Sequence, residues 1–249
     1  MDRPKRTLVL MSRSVTIATW NVQWRRSDSN AAKIIRERLA VHQPDVVCLT
    51  EAPADFLSVD GHTVLCDPDT GYPVIGNRRK VLLWSKEPWT DVDDYGSPGL
   101  PSGRFVAGTT ETDLGPLRFV GACIPWAGSH VSSGRRDRLR WEEHVRYLEA
   151  LSEVLEQQKA PYVVVGDFNQ AVPRRTAPRE VFSTLVSNVA NRCHLVTTGE
   201  IEDCGYAIDH IAVSDSLGAV SVSGLPAKVE NAPAVSDHFG LVAEIALHG

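Results

Sequence analysis

No Cys-x-x-Cys pair occurs in the sequence, and its five cysteines, at 48, 66, 123, 193 and 204, are odd in number. A disulfide framework or a thiolate zinc site needs pairing, so the pattern reads as reduced thiols in a cytoplasmic protein. An excess of positive charge is also lacking. The formal net charge of −5 argues against a broad basic sleeve around nucleic acid but leaves room for a locally basic cleft. No apolar stretch approaches the ~20 residues needed to cross a bilayer, so no membrane span is expected. There is no Gly-x-x-x-x-Gly-Lys-Ser/Thr loop, which argues against nucleotide-driven phosphoryl transfer. Linkers, low-complexity segments and short-period repeats are missing as well, so residues 15–249 read as one domain, expected to be a monomer. Ahead of it, residues 1–14 hold basic residues and an apolar run, Thr7–Met11, too short for a signal-peptide core. They read as a disordered tail, with Met11 a candidate alternative start.

What is present is an ordinary globular mixture, 43% hydrophobic and 23% charged over 249 residues, enough for a large core without staples. Val15–Trp20 alternates as a strand does and ends at Asn21. Asp28 or Ser29 can cap a helix whose apolar face is Ala31, Ile35 and Leu39. After Pro44, the run from Asp45 to Thr50 has the apolar character of a strand buried on both faces, and it ends at Glu51. Short strands follow at Thr63–Cys66, Lys80–Ser85, Arg104–Thr110 and Leu117–Ile124, separated by turn-rich segments. A long helix is predicted over Arg136–Gln158, with Trp141, Val145, Leu148, Leu151 and Leu155 on one stripe. Tyr162–Val165 is another buried strand and runs into Gly166-Asp-Phe-Asn169. A short helix near Arg179–Ala190, a strand over Ala207–Ser214 and a last strand over Gly240–Ala246 complete the chain. The pattern implies an α/β fold in which two β-sheets pack face to face with helices outside.

These apolar runs end in residues that a core does not accommodate: Asn21, Glu51, Asp167 with Asn169, Asp209, and Asp237-His238 just before the last strand. One such residue is commonly a turn former or a helix cap. A set tied to so many separate strands reads instead as one converging site. Carboxylates and carboxamides with a single histidine, and no Cys/His cluster, make a hard oxygen-rich site suited to Mg2+ or Mn2+. Metal-assisted hydrolysis of a phosphate ester is the natural use of such a site.

The segments Thr19-Trp-Asn21, Pro44-Asp-Val-Val-Cys-Leu-Thr-Glu51, Gly166-Asp-Phe-Asn169, Ile208-Asp-His-Ile211 and Ser236-Asp-His238 resemble, in this order, the motifs of the endonuclease/exonuclease/phosphatase superfamily. That superfamily includes exonuclease III-like abasic endonucleases, deoxyribonuclease I, sphingomyelinases and inositol polyphosphate 5-phosphatases. The resemblance covers about residues 15–246. It implies a four-layer α/β sandwich of two mixed sheets flanked by helices, with the active site at one end of the sheets. It implies Glu51 as the principal Mg2+ ligand, with Asn21 and Asp237 beside it. Asp167 is then the group that orients or deprotonates the attacking water. Asn169 holds a phosphate oxygen, and His238, oriented by Asp209, donates to the developing negative charge. The neighbouring carboxylate favours the imidazolium form of His238.

Two positions depart from the family pattern. Cys123 stands where the family strand presents a histidine or tyrosine to the phosphate; its thiol either fills a small buried space or faces the phosphate as a weak donor. His130, in the following loop, is a candidate to reach back in its place. Gln23 stands where the abasic endonucleases tend to have an acidic, metal-associated residue. Arginine pairs recur at 25–26, 78–79, 135–136 and 174–175. Arg135, Arg136, Arg174 and Arg175 are expected to gather positive charge at the mouth of the site, as an anionic polymer requires, with chance scatter of surface arginines as the alternative. Trp24 and Trp126 are expected on rim loops, able to stack on a base, with a core position as the alternative. Tyr206 with Ile208 resembles the segment that supplies an abasic-sugar pocket. DNA is therefore the expected partner of a nuclease or repair-type phosphodiesterase. A small or lipid-derived phosphate ester is the second reading, and a catalytically weak binding module the third.

Overall fold

The computed structural model describes residues 13–57, 60–159 and 161–248. The first half of the chain forms β1 (Val15–Asn21), α1 (Asn30–Val41), β2 (Val46–Pro53), β3 (His62–Leu65), β4 (Arg78–Ser85), β5 (Trp89–Asp93), β6 (Phe105–Thr112) and β7 (Gly115–Cys123). Then come α2 (Glu142–Glu156), β8 (Tyr162–Asp167) and α3 (Arg179–Leu185), which continues as a π-turn over Val186–Ala190. The chain ends with β9 (His194–Leu195), β10 (Glu200–Ile201), β11 (Gly205–Tyr206), β12 (Asp209–Val213), β13 (Leu217–Leu225) and β14 (Gly240–Leu247).

One sheet has the order β13-β14-β1-β2-β4-β3 and the other β5-β6-β7-β8-β12-β9, while β10 and β11 pair as a separate hairpin. In the first sheet β1 and β2 are parallel, and in the second β7 and β8 are. Each parallel pair is connected by a helix, α1 or α2, and each sheet grows outward from it by antiparallel strands.

The central strands are buried on both faces, and the alternation of side chains sorts them into layers. Val15 and Ile17 of β1 enter the space between the sheets with Val46, Val81 and Leu83, and meet Phe119, Val163, Val165 and Ile211 of the other sheet. Ala18 and Trp20 point the opposite way, where with Val47 and Leu49 they cover Ile35 and Leu39 of α1. On the far side Val120, Ala122 and Val164 pack on Tyr147, Leu148 and Leu151 of α2. Each Val, Leu, Ile or Phe side chain so buried contributes roughly 1.5–3 kcal/mol. The result is the four-layer α/β sandwich, helix on sheet on sheet on helix.

Several local expectations are adjusted. Ser29 caps α1, accepting the Ala32 N–H at 3.2 Å, and the buried face is Ala32, Ile35 and Leu39, with Ala31 half-buried beside it. α2 starts at Glu142 and not at Arg136, because Arg136 and Trp141 hold positive φ of 58° and 70° that a right-handed helix cannot include. Its covered face is also turned: His144 and Tyr147 are buried, while Trp141 and Val145 are only half-buried. β5 and β13 were not expected from the sequence: both are edge strands, β5 is short with an exposed middle, and β13 intersperses glycine and serine among small apolar residues. The expected tail falls outside the described residues except for Arg13 and Ser14, and Ser14 donates to Glu244 at 2.6 Å. Among the described residues no helix is long and apolar enough to cross a membrane.

Candidate active site

The C-terminal ends of the two parallel pairs meet. Asn21, at the end of β1, donates from Nδ2 to Oδ2 of Asp167, at the end of β8, at 3.0 Å. Around this contact lies a cavity of about 370 Å³ lined by Asn21, Glu51, Asp167, Asn169, Asp237 and His238, with Lys80, Arg104, Cys123 and Trp126 completing its walls. The backbone is bent sharply at these ends. Glu51 and Asn169 hold φ of 52° and 53°, a left-handed conformation that costs a non-glycine residue ~1–2 kcal/mol. At Gly166 (φ 139°) a Cβ would lie 2.1 Å from the Ala122 carbonyl oxygen, so only glycine lets β8 come this close to β7.

Asp167 is almost fully buried. Its Oδ1 accepts the Asn169 N–H at 2.9 Å, and its Oδ2 accepts from Asn21 and from Asn169 Nδ2, the latter at 3.1 Å. Burial, and then the charge of Asp209 directly opposite on β12, raise its carboxyl to about 7, against the pull of His238 and these hydrogen bonds. Asp209 is equally buried and its Oδ2 lies 2.5 Å from Nδ1 of His238. Burial works against an imidazolium at His238, but the charge and hydrogen bond of Asp209, then Asp167 and Asp237, outweigh it and lift the group to about 10. Nδ1 is thus a donor to Asp209, and Nε2 is the donor left for an incoming anion. The loop holding His238 is pinned by Trp20 Nε1 donating to the His238 carbonyl and by Ser236 Oγ donating to the Asn21 carbonyl.

Glu51 sits on the other side of the cavity. Its Oε1 takes the Lys80 ammonium at 2.6 Å, and Lys80 also lies 5.0 Å from the centre of the Trp24 ring. The second oxygen of Glu51 and the carboxylate of Asp237, whose side chain is 59% exposed, remain for a ligand. Asn21 spends an amide proton on Asp167, and its Oδ1, the atom that could face a cation, accepts the Gln23 N–H at 2.9 Å. Ligand atoms of Asp167, Asp209 and His238 also lie within 4.8 Å of one another. There, however, Nδ1 of His238 and Oδ2 of Asp209 are consumed by each other, so this group is a hydrogen-bonded relay more than a cation shell. The oxygen donors of Glu51 and Asp237 fit a hard divalent cation better.

Cys123 lines the cavity and its thiol is pushed up, chiefly by burial, so it stays protonated and donates weakly. Both Nδ2 hydrogens of Asn169 are engaged, with Ile124 O at 2.8 Å and with Asp167. His130 does not reach the cavity lining. It is buried, stacks on Tyr72 at 4.4 Å, accepts the Arg135 N–H at Nδ1 and donates from Nε2 to the Thr70 carbonyl at 3.2 Å. It clamps the loop at 70–72 and, desolvated, its pKa is lowered. Two more buried histidines, His144 and His210, are wired to Gln170 beneath the catalytic turn, and burial pushes His144 down to about 4.

The four arginines expected at the mouth, Arg135, Arg136, Arg174 and Arg175, do not line the cavity. Arg135 pairs with Glu143 at 2.8 Å, Arg136 is exposed, Arg174 donates to the Ala177 carbonyl at 2.8 Å, and Arg175 lies 4.2 Å over Tyr206. Tyr206 and Ile208 stay outside the cavity lining too, Ile208 accepting the Phe168 N–H through its carbonyl. Trp126 does line it and is 49% exposed. The cations that reach the cavity, Lys80 and Arg104, were not singled out from the sequence. The signal was there: each is a basic residue immediately ahead of a buried run, Val81-Leu-Leu-Trp84 and Phe105-Val-Ala107.

A model of the Endonuclease/Exonuclease/phosphatase family matches residues 18–238. No curated protein matches the chain in sequence. Among solved structures, D. rerio TDP2 complexed with single strand DNA product is similar with a TM-score of 0.68 at 15% identity, covering 93% of this chain and 98% of that one. The human Nocturnin catalytic domain with bound sulfate gives 0.64 at 18% identity over 94% and 95% of the two chains. The 3'-5' exonuclease NExo from Neisseria meningitidis gives 0.62 at 20% identity over 92% and 98%. At these identities the structural likeness is one of fold, and it is the family match across most of the sequence that decides: the chain belongs to the endonuclease/exonuclease/phosphatase family of metal-dependent phosphoesterases.

Proposed function

We propose that the protein hydrolyses phosphodiesters of DNA with Mg2+ or Mn2+. The observation that carries this reading is the pairing, in one cavity, of a buried carboxylate raised to about 7 with a histidine raised to about 10. Near neutral pH the first can take a proton and the second is a fixed cation. Asp167 accepts the proton of the attacking water, a role that requires a base poised close to the working pH. Asn21 and Asn169 hold both of its oxygens in place. Nε2 of His238 donates to the phosphoryl oxygens as charge builds up on them, with Asp209 fixing the tautomer. Glu51 and Asp237 would hold the divalent ion, which supplies Lewis-acid stabilisation of the phosphoryl group when bound. The solved structure of D. rerio TDP2 with a single-strand DNA product shows the same fold engaged with DNA and supports a nucleic-acid substrate here.

A small phosphate ester is the second reading, favoured by Arg135, Arg136, Arg174 and Arg175 all standing outside the cavity lining. The test uses labelled duplex and single-stranded DNA, with and without an abasic site, beside bis(p-nitrophenyl) phosphate. Cleavage of DNA in Mg2+, abolished by EDTA and in Asp167→Asn, and falling steeply between 50 and 300 mM salt, is expected for a DNA-acting enzyme (about 10-fold or more per two phosphates neutralised). Hydrolysis of the small diester alone, insensitive to salt, would overturn the DNA reading in favour of the second.

A further inference from the structure

Arg104 immediately precedes β6 and follows Gly103, whose φ of 66° and tight contact with the Asp69 carbonyl leave no room for a side chain. The residue is 2% exposed, yet among the described residues its guanidinium makes no ion pair. NH1 lies 3.5 Å from the Cys123 carbonyl, NH2 lies 3.3 Å from Ser129 Oγ, and Nε has no partner. A buried cation without a counter-charge carries a large desolvation penalty, and a fold alone gains nothing by keeping it. It lines the catalytic cavity, and it also lines a second cavity of about 250 Å³ that opens beside the first. Lys80 and Trp126 are shared by both.

The second cavity has a consistent character. Its other walls are Trp24, Tyr72, Val74 and Ile75, with Arg78 lying 5.2 Å from the Trp24 ring, and no Asp or Glu belongs to its lining. Two of its aromatic rings are held in advance. Tyr72 is stacked on His130, and the Trp126 indole lies so close over Gly128 that a Cβ there would be 2.4 Å from the ring. Aromatic planes beside Arg78 and Arg104, neither in an ion pair among the described residues, suit a ligand that is planar at one end and anionic at the other.

We infer that Arg104, with Lys80, is the phosphate receptor of this site, filling the place left by Cys123, and that the second cavity takes the single nucleobase attached to that phosphate. The inference rests on the phosphoesterase reading above. A fork of N–H donors suits a phosphate better than a thiol does, and Arg104 reaches the cavity from the strand next to Cys123. At about 250 Å³ the second cavity falls below the ~300–1,000 Å³ of pockets for drug-sized ligands, so it admits one ring system and no base pair. Substrates are then bound through an unpaired nucleotide.

Binding calorimetry on Asp167→Asn protein in Mg2+ separates binding from turnover, with thymidine monophosphate and base-free deoxyribose phosphate as probes. The nucleotide is expected to bind ~5- to 100-fold tighter than the base-free sugar phosphate, a difference lost in Trp126→Ala and reduced in Ile75→Asp, both exposed positions. Arg104→Met is expected to weaken both probes by ~10- to 100-fold while leaving the denaturation midpoint unchanged or raised, the reverse of what a structural arginine would show. Arg104→Lys, which keeps the charge but loses the fork, should fall between and covers the case of a poorly folded Arg104→Met. Equal affinity for the two probes, or Arg104 variants that bind as the parent does, would overturn the receptor even if the wild type cleaves DNA. If the wild type hydrolyses no phosphodiester, the phosphoesterase reading fails by itself, and the calorimetry still decides on the nucleotide site.

Discussion

The two parallel units, β1–α1–β2 and β7–α2–β8, are built alike and end differently. Each brings the ends of two strands to the same cavity, Asn21 and Glu51 in the first, Cys123 and Asp167 in the second. In each, the second strand carries a carboxylate at or near its end and pairs antiparallel with a further strand. Across from Glu51, between the pairs Thr50–Val81 and Ala52–Arg79, β4 places Lys80. Across from Asp167, β12 places Asp209. One carboxylate thus meets a cation on a half-open rim, and the other meets a second acid in the buried interior. Topology puts the two acids in equivalent places, and their neighbours across one strand pair give them different chemistry. A rim carboxylate beside a cation suits the holding of ions, whereas a buried one beside a like charge suits proton transfer.

The strongest way to break this contrast is to neutralise the acid opposite Asp167. Asp209→Asn should lower kcat by ~10³- to 10⁴-fold, because His238 loses the partner that orients it and holds it charged. The pH–rate profile should move with it. In the wild type the rate is expected to rise as Asp167 ionises through about 7 and to fall as His238 deprotonates through about 10. In Asp209→Asn both limbs should shift to lower pH, and limbs left in place would mean that Asp209 does not set either group.

Asp167→Asn comes next, with a loss of ~10²- to 10⁴-fold in turnover. It carries a second signature. The folded carboxyl is raised above its ordinary value of 3.8, so the folded state favours the protonated form and stability is lost as pH rises from about 4 to about 7. The amide never ionises, so at pH 8 the variant should be more stable than the wild type, by on the order of 4 kcal/mol if the whole shift is expressed. That gain should vanish below pH 4 in chemical denaturation. A variant less stable at both pH values would show that the burial of this acid is not a strain.

Smaller effects sharpen the rim. Lys80→Met frees Oε1 of Glu51, so Mn2+ should bind about fivefold tighter by calorimetry, the ~1 kcal/mol of a partly exposed ion pair, while KM for a phosphodiester rises. Unchanged Mn2+ affinity would take Glu51 out of the ion site. The smallest effect belongs to Cys123→Ala, expected to change kcat less than about threefold because a buried thiol is a weak donor. A tenfold loss would return the donor role to the thiol.

The motifs at 19–21, 44–51, 166–169, 208–211 and 236–238 were legible because each polar residue interrupts a buried apolar run, a local contrast that a single sequence displays. For the same reason α1 was legible from its cap and its spacing, and the central strands from their continuous apolar runs. The edge strands β5 and β13 were not: β5 is short with an exposed middle, and in β13 two glycines and two serines among small side chains dilute the apolar pattern. Nor was the loss of the first turn of α2, which depends on two residues with positive φ.

The sequence by itself determined the family, the layered α/β architecture and the set of acids, amides and histidine that end its strands. Those are properties of local pattern, spaced along one chain. Only the tertiary structure decided which charges meet. It turned Arg135 to Glu143 and Arg175 to Tyr206, brought Lys80 to Glu51, and buried Arg104 behind Cys123. It also set Asp209 opposite Asp167, a pairing across 42 positions that raises one acid toward neutrality. Register and burial fix such contacts, and both are sums over the whole fold: electrostatic partners are chosen by distance and desolvation, neither of which is written in the order of residues.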